Sequence, residues 1–220
     1  MNTSHKSSLP SLAEIRQEYS LKELSEQSVS SDAIVQFESW LTEALNSELT
    51  EPTAMHLSTV SSSGYPSSRI VLLKGIEEGS FLFYTNYQSR KGDEIMANSR
   101  VALCFFWAEL QRQVRIEGTA ESLIESYSEV YFNSRPRASQ IGALASPQSK
   151  IIPNRAWLEK EFEAIEEKYK HQAVPKPEHW GGYKVVPHYI EFWQGRRSRL
   201  HDRIVYTRIE NKWHIERLAP

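Results

Sequence analysis

The chain has 220 residues, of which 40% are hydrophobic and 25% are charged, and its formal net charge is -2. This length suits one domain with a single core, and the near-neutral charge disfavours a dedicated nucleic-acid binder, whose surface is usually strongly basic. No apolar run approaches the ~18 residues of a membrane span, and the polar start lacks the apolar segment of a signal peptide. We therefore expect one domain over residues 1–220, in a cytoplasmic protein that binds neither membranes nor nucleic acid.

The N-terminal quarter predicts a flexible arm over residues 1 to about 25, followed by a helix. Ser30 and Ser31 are suitable N-caps, and Asp32 stands in the first turn. Apolar residues then recur at helical spacing and predict one buried stripe. The stripe comprises Ile34, Phe37, Trp40, Leu41 and Leu45.

Residues 54–123 change to a strand pattern with short connections. "AMHLSTV" and "SSRIVLLKGI" flank the turn sequence "SSSGYP" and predict a hairpin, and three further strands follow up to residue 123. Short helices are expected after Ser89 and over about 125–135, a longer one over 154–171, and three strands at the end of the chain. The pattern favours a mainly β fold, an antiparallel barrel with flanking helices. Cys104, the single cysteine, is expected to be a buried core thiol in a reducing compartment.

Several kinds of catalytic or cofactor site are disfavoured. The seven histidines lack the spacing and the cysteine partners of zinc sites, so we expect no metal. The sequence has no G-x-S-x-G, no G-x-G-x-x-G and no Walker loop, which argues against a hydrolase elbow and against glycine-rich nucleotide sites. Any phosphate must therefore be held by side chains.

Four groups of residues could hold such a phosphate. Arg69 and Lys74 bracket an apolar strand, although they could equally be its charged ends. Arg90 and Lys91 stand at the start of a helix, where cations are unfavourable unless an anion lies beside them, so a phosphate site is favoured over a solvated pair. The third group lies around the constrained "SRPRAS" turn and suits phosphate recognition, with an exposed loop as the alternative. The third group comprises Tyr131, Arg135, Arg137 and Ser139. The fourth group comprises Gln148 and Ser149.

The stretch "QGRRSRLHDR", residues 194–203, is the densest basic cluster. Strand-like alternation flanks it on both sides, and the extended state can continue through it, whereas a helix would turn His201 away from the two arginines. Arg199, His201 and Arg203 would then share one face at a period of two, where an anion would relieve their repulsion. The alternative is a solvated basic loop.

The chain contains, in this order, the motifs "RIVLLK", "YTNYQSRKG", "RQVRIEG", "YFNSRPRASQIGA", "PQS", "HWGGY", "IEFWQG" and "RLHDR…RLAP". These motifs and their order resemble those of the pyridoxamine 5'-phosphate oxidase family. The resemblance covers about residue 30 to the C-terminus. It implies an FMN-dependent split-barrel enzyme that works as a homodimer with active sites at the subunit interface. It also implies oxidation of pyridoxamine 5'-phosphate or pyridoxine 5'-phosphate by O2 to pyridoxal 5'-phosphate and hydrogen peroxide, with ammonia from the amine.

The same resemblance implies roles for individual residues, with Arg199 and His201 as the catalytic pair in hydride transfer from substrate to flavin. The implied FMN contacts are Arg69, Ile70, Val71, Leu72, Leu73, Lys74, Tyr84, Thr85, Arg90, Lys91, Gln113, Gln148, Ser149, Trp193 and Arg203. The implied substrate contacts are Lys74, Tyr131, Arg135, Ser139, Arg199, Leu200, His201, Arg16 and Tyr19.

One departure and two rival functions remain open. The family usually has glycine after "WQG", whereas this chain has Arg196, so the local turn could differ. A related flavin reductase is one rival, although it need not keep the whole substrate set. A protein that stores FMN or pyridoxal phosphate without turnover is the other.

Overall fold

The computed structural model of the chain describes residues 18–220, and β-strands dominate it. The strands are β1 (Ala54–Val60), β2 (Pro66–Leu72), β3 (Gly75–Glu77), β4 (Ser80–Asn86), β5 (Arg100–Trp107), β6 (Arg112–Ser122), β7 (Trp180–Gln194), β8 (Asp202–Ile209) and β9 (Lys212–Arg217). The helices are α1 (Ala33–Leu45), α2 (Arg90–Ala97), α3 (Glu125–Ser134), α4 (Arg137–Ala145) and α5 (Arg155–Lys168).

All strand pairs are antiparallel, in the order β2-β1-β5-β6-β7-β4-β3. The long strand β7 divides the sheet. Its first six residues pair with β4, and its last six pair with β8, which in turn pairs with β9. The nine-stranded sheet therefore branches at β7, as expected of a split barrel. The predicted antiparallel, mainly β fold with flanking helices is confirmed.

The core lies inside the curled sheet and is closed by α1. Phe37 and Trp40 on α1 are buried against aromatic residues of β4, β5 and β7. The predicted stripe is therefore confirmed in its centre, but Leu45 at its end is 54% exposed. The N-cap is Asp32 rather than Ser30 or Ser31, because its carboxylate accepts the N–H groups of the first helical turn.

Three other local predictions need correction. The "SRPRAS" segment does not continue as a loop, because a new helix, α4, begins immediately after Pro136. The longest predicted helix ends at Lys168, and none of its side chains is fully buried because it packs on the outside of a small second cluster. Cys104 is half-buried rather than in the core, since strand alternation turns it away from Leu103 and Phe105.

The stretch over residues 194–203 is not extended, contrary to prediction. A short 3-10 turn, Arg197–Arg199, interrupts it, and both Ser198 and Arg199 have positive φ angles of 55° and 60°. The turn ends the alternation, so Arg199, His201 and Arg203 do not form one row at a period of two. Leu200, at the turn's end, is 69% exposed.

Candidate functional site

A cavity of about 630 Å³ opens between the sheet and helices α2, α3 and α4. Its volume is in the range of small-molecule and cofactor sites. The end of β2, the end of β4, the start of α2 and the α3–α4 junction all contribute side chains to it. Of the residues predicted from sequence, it gathers Ile70, Val71, Leu72, Lys74, Tyr84, Thr85, Lys91, Tyr131, Arg135, Ser139 and Gln148.

Lys91 provides a buried positive charge in this cavity. Its ammonium group donates to Thr85 Oγ1 at 3.1 Å, to Ser89 Oγ at 3.1 Å and to Gln148 Oε1 at 2.9 Å. These partners are all neutral. Burial, with the positive charge of Arg69 adding to it, lowers the pKa of Lys91 to about 8. A buried cation with neutral partners is a suitable site for an anion.

Arg135 provides a second cation, from the end of α3. Its guanidinium lies 4.7 Å from the ring centroid of Trp180, and its Nη1 is buried with no hydrogen-bond partner among residues 18–220. Burial lowers its pKa. A buried guanidinium N–H without an acceptor is costly, and no carboxylate among the described residues offsets the charge of Arg135. Lys74 adds a third, exposed cation, and none of the lining residues is Asp or Glu.

Arg69 and Arg90, predicted as cofactor contacts, do not line the cavity. Instead they flank Glu94 of α2, whose carboxylate is 3.3 Å from Arg69 Nη2 and 2.9 Å from Arg90 Nε. Thr59 and Ser67 also donate to this carboxylate. Although burial alone would raise it, these hydrogen bonds and the Arg90 charge hold the pKa of Glu94 at about 2. The network anchors α2, and therefore Lys91, to β1 and β2.

A second group of predicted residues lies on the other half of the sheet. Gln113 of β6 stands opposite Trp193 of β7, which stands opposite Arg203 of β8, so the three form one cross-strand row. Arg203 is paired with Glu191 at 2.8 Å. None of the three lines the cavity in one copy of the chain, and neither do Arg199, Leu200 and His201. Leu73 is buried in the core, and Ser149 is exposed at a φ of 69°.

His201 is held by the residues around it. Its Nδ1 accepts a hydrogen bond from the Arg196 backbone N–H at 3.0 Å, so in the neutral ring the proton lies on Nε2. Its ring packs on Trp193, with centroids 4.6 Å apart, and against the edge of Tyr19. Burial, helped by the charge of Arg199 and opposed by Asp202, lowers the pKa of His201.

The first described residues lie across this second group. The backbone N–H groups of Ser20 and Leu21 donate to Gln111 Oε1, and Leu24, which is buried, donates to Asp202. These contacts place Tyr19 against His201 and Trp193. Of residues 18–25, which we expect to belong to a flexible arm, only Leu24 is buried, and backbone N–H groups of the segment donate to Gln111 and Asp202. Arg16 lies outside the described residues.

Two family models match the chain. "Pyridoxamine 5'-phosphate oxidase" matches residues 41–169, and "Pyridoxine 5'-phosphate oxidase C-terminal dimerisation region" matches residues 180–220. The chain belongs to the pyridoxamine 5'-phosphate oxidase family. The first matched range contains Gln113 and every lining residue of the cavity except Trp180, and the second contains Trp180, Trp193, His201 and Arg203.

Relatives agree over almost the whole length. Curated pyridoxine/pyridoxamine 5'-phosphate oxidases from Acaryochloris marina and Leptospira interrogans are 50% and 53% identical, over 210 and 212 residues. These matches cover 96% of this chain and 96% and 99% of those proteins. The structure of PhzG from Burkholderia lata, in complex with tetrahydrophenazine-1-carboxylic acid, has a TM-score of 0.87 at 29% identity, covering 93% of this chain and 100% of that one. An FMN-binding protein from Nostoc punctiforme, at 16% identity and a TM-score of 0.69, shares the fold.

Several cavity residues escaped the sequence analysis. Trp180 belongs to the motif "HWGGY" but has no predicted role, and Gly142, Ala143 and Ser146 have none because the sequence does not predict helix α4. Arg137 proved unrelated to the cavity, since its guanidinium donates to the backbone oxygens of Tyr169 and Gln172. The missed lining residues are Asn86, Pro136, Gly142, Ala143, Ser146 and Trp180.

Over residues 18–220, no helix is long and apolar enough to cross a membrane.

Arg196, at the position where the resemblance led us to expect glycine, does not strain the backbone. Its φ is -134°, an ordinary extended angle, so this position does not need glycine. Its guanidinium pairs with Glu23 at 2.7 Å and lies 3.6 Å from Asp202. It therefore links the first described segment to the His201 turn.

We expect Arg196→Gly to change thermal stability only slightly, because an ion pair as exposed as Arg196–Glu23 is screened by solvent. Amide hydrogen exchange of residues 18–24 should instead become faster, since one anchor of this segment is lost. The Glu23→Gln variant should give the same result. Unchanged exchange in both variants would show that the ion pair does not hold the segment.

Proposed function

We propose that this protein is an FMN-dependent oxidase that converts pyridoxamine 5'-phosphate and pyridoxine 5'-phosphate to pyridoxal 5'-phosphate. O2 would be the electron acceptor, with hydrogen peroxide as a product and ammonia released from the amine. The observation that carries this proposal is the cavity with three cations, Lys74, Lys91 and Arg135, and no carboxylate among its lining residues. Both ligands of the proposed reaction bear phosphate, so two separate cationic groups are needed. The identity to named oxidases supports the same reaction.

The residues of the cavity fit FMN. Lys91 is buried among neutral hydrogen-bond partners at the first turn of α2, where the backbone N–H groups also favour a phosphate. Thr85 and Gln148 would complete its polar surroundings, and Ile70, Val71 and Leu72 supply an apolar edge. When bound, FMN supplies the redox chemistry, taking electrons from the substrate and passing them to O2.

The substrate phosphate fits the other side of the cavity. Arg135 lines the cavity without a carboxylate partner among the described residues, and Ser139, in the first turn of α4, lines it as well. Tyr131 stacks on Tyr84 with ring centroids 4.0 Å apart, so its hydroxyl-bearing ring is held in place. Lys74 would add charge at the open end. A guanidinium and a hydroxyl together suit a phosphate better than either alone.

The remaining predicted residues would reach the site in a homodimer. The matched dimerisation region contains Trp193, His201 and Arg203, which lie outside the cavity of their own chain. The row of Gln113, Trp193 and Arg203 lies on the outward face of the sheet. The same face carries the exposed Phe106 and Ile70, and Ile70 lines the cavity. Pairing two copies through this face would bring the row of one copy towards the cavity of the other. Two equivalent composite sites would result.

Within the composite site, His201 would act as a neutral hydrogen-bond donor through Nε2. Its Nδ1 is occupied by the Arg196 N–H, and its lowered pKa keeps the ring uncharged at neutral pH. Arg199 carries its charge beside this ring on a tight turn. We assign Arg199 to positioning the substrate and assisting proton removal, with His201 as the neighbour that orients it.

We expect Arg199→Ala to lower turnover at least about tenfold, because one hydrogen bond from a charged group contributes about 1.5–3 kcal/mol. FMN affinity should stay close to that of the parent protein. Steady-state oxidation per bound flavin and a separate flavin titration measure the two quantities. Arg208→Ala, on the same strand region but outside the predicted site, is the control. Loss of flavin with unchanged turnover per flavin would contradict the assignment.

Two measurements test the proposed function as a whole. The purified protein should bind FMN and then form aldehyde and consume O2 when pyridoxamine 5'-phosphate is added. Binding of substrate without turnover would favour a carrier, and a protein that cannot be loaded with FMN would rule out the flavoenzyme. Mixed dimers of Lys91→Met and Arg199→Ala chains should be more active than either variant alone, because one of their two composite sites is intact. No recovery would contradict shared sites.

A further inference from the structure

Trp180 lies at the start of β7 and is fixed in the wall of the cavity. Its side chain is 6% exposed. Its backbone N–H donates to the Pro177 oxygen at 3.0 Å, and its own carbonyl accepts from Lys176 at 2.9 Å. It also stands opposite Asn86 in the β4–β7 pair. The indole therefore has little freedom to move.

The indole ring forms part of an aromatic wall. The ring of Tyr84 is nearly parallel to it, with an interplanar angle of 6° and centroids 5.6 Å apart. Phe132 packs edge-on against it at 5.1 Å. Such contacts hold both the position and the tilt of the ring. The ring can therefore act as a rigid platform for a group on its face.

That group is the guanidinium of Arg135. It lies 4.7 Å from the centroid of Trp180 and 5.7 Å from that of Phe132. In the described part of the chain Arg135 has no ion pair with a carboxylate, and its Nη1 has no hydrogen-bond partner. The arginine is thus oriented by an aromatic face, and no carboxylate among residues 18–220 neutralises its charge.

A second arginine in the molecule provides a contrast. Arg112 lies 4.2 Å from the ring of Trp40, in the same kind of contact, but it is also paired with Glu43 at 3.1 Å. Its positive charge is therefore satisfied within the protein. Both arginines have a buried Nη1 without a hydrogen bond of good geometry, and they differ in their acidic partner: Arg112 has Glu43, whereas Arg135 has none among residues 18–220.

We propose that Trp180 is a positioning residue that holds Arg135 for the phosphate end of the substrate and so sets the preference for phosphorylated over unphosphorylated ligands. This inference rests on the proposed function in its choice of substrate. The contact between Trp180 and Arg135 should not affect how the rest of the ligand, beyond its phosphate, is bound. Removing it should therefore weaken only the binding of compounds that carry a phosphate.

The direct test compares binding of pyridoxal 5'-phosphate and of pyridoxal to the dimeric protein carrying its bound flavin, by isothermal titration. Trp180→Leu should raise the dissociation constant for pyridoxal 5'-phosphate about tenfold, the size of a desolvated cation–π contact. The value for pyridoxal should not change. Trp180→Phe retains an aromatic face, so its dissociation constant for pyridoxal 5'-phosphate should lie between those of the parent protein and Trp180→Leu. This variant replaces Trp180→Leu in the test if the leucine variant does not fold. Trp40→Phe is the matched control and should alter neither ligand.

A double-mutant cycle shows whether Trp180 acts through Arg135. In an Arg135→Ala background, Trp180→Leu should cause no further loss of pyridoxal 5'-phosphate binding. In turnover, the KM for pyridoxamine 5'-phosphate should rise while kcat stays close to that of the parent protein. Equal weakening of both ligands, or a full additional loss in the Arg135→Ala background, would overturn the proposal. If the protein proves not to oxidise pyridoxamine 5'-phosphate, the proposed function fails, but the binding comparison still decides the role of Trp180.

Discussion

Replacing Lys91 with methionine is expected to weaken FMN binding about 10- to 100-fold, because a hydrogen bond to a charged group contributes about 1.5–3 kcal/mol. Lys91 is 9% exposed, and its ammonium group has only neutral partners within the described residues. Its charge is therefore available for a phosphate. Fluorescence titration of the flavin-free protein with FMN measures the affinity.

The same substitution should not destabilise the flavin-free protein. Burial lowers the pKa of Lys91 to about 8, which shows that the fold alone disfavours its charge. A methionine of similar length avoids this cost, so the midpoint of thermal unfolding should hold or rise. The control is Lys184→Met, whose lysine pairs with Glu121 at 3.2 Å away from the cavity. A large loss of stability in the flavin-free Lys91→Met protein would indicate a structural role instead.

The pH dependence of FMN binding follows from the same group. The protonated ammonium binds phosphate, so the affinity of the parent protein should fall as the pH rises above about 8. The Lys91→Met variant should lack this fall. A decline of equal size in both proteins would assign the titration to another group.

Glu94→Gln is expected to cost about 3 kcal/mol of unfolding free energy at neutral pH, the order implied by its lowered pKa. The substitution removes the charge that pairs with Arg69 and Arg90 and leaves those cations without an acid. Urea denaturation at pH 7 measures the difference. The helix α2 should loosen, and because α2 carries Lys91, FMN affinity should fall as well.

The Glu94 contribution has a defined pH window. The pKa of Glu94 is about 2 in the fold and 4.5 in its ordinary range, so its stabilisation is complete above about pH 4.5. It is lost as the pH falls towards 2, because the protonated carboxyl no longer pairs with the arginines. The parent protein should therefore lose its advantage over Glu94→Gln in this range. Glu121→Gln, an exposed carboxylate, is the control, and a constant gap between parent and Glu94→Gln down to pH 2 would contradict the assignment.

The sheet and the first cationic group were predictable because their signals are local. Alternation defined the strands, and Lys91 stood out because a cation is unfavourable at the first turn of a helix unless an anion is near. The turn over Arg197–Arg199 was not predictable in this way. Positive φ angles at Ser198 and Arg199 depend on the packing around them, and neither residue type announces them.

The other differences between the sequence predictions and the structure arise from residues that are distant in sequence but adjacent in the fold. Trp180 appeared as an ordinary aromatic residue until the fold placed Arg135 on its face. Arg69 satisfied the pattern of a phosphate ligand, yet in the fold it pairs with Glu94 from a helix 25 residues further along the chain. His201 and Arg203 lie outside the cavity of their own chain, and in the proposed homodimer a second copy would bring them towards it, which one sequence does not display.

The most direct test of the central claim is an anaerobic mixing experiment with the flavin-loaded protein. Pyridoxamine 5'-phosphate, added without O2, should bleach the visible flavin absorption and form about one aldehyde per flavin, and admission of air should restore the colour. Pyridoxamine without phosphate should act far more weakly, because it cannot use the cations of the cavity. A flavin that keeps its colour in the presence of bound pyridoxamine 5'-phosphate would contradict the proposed oxidase.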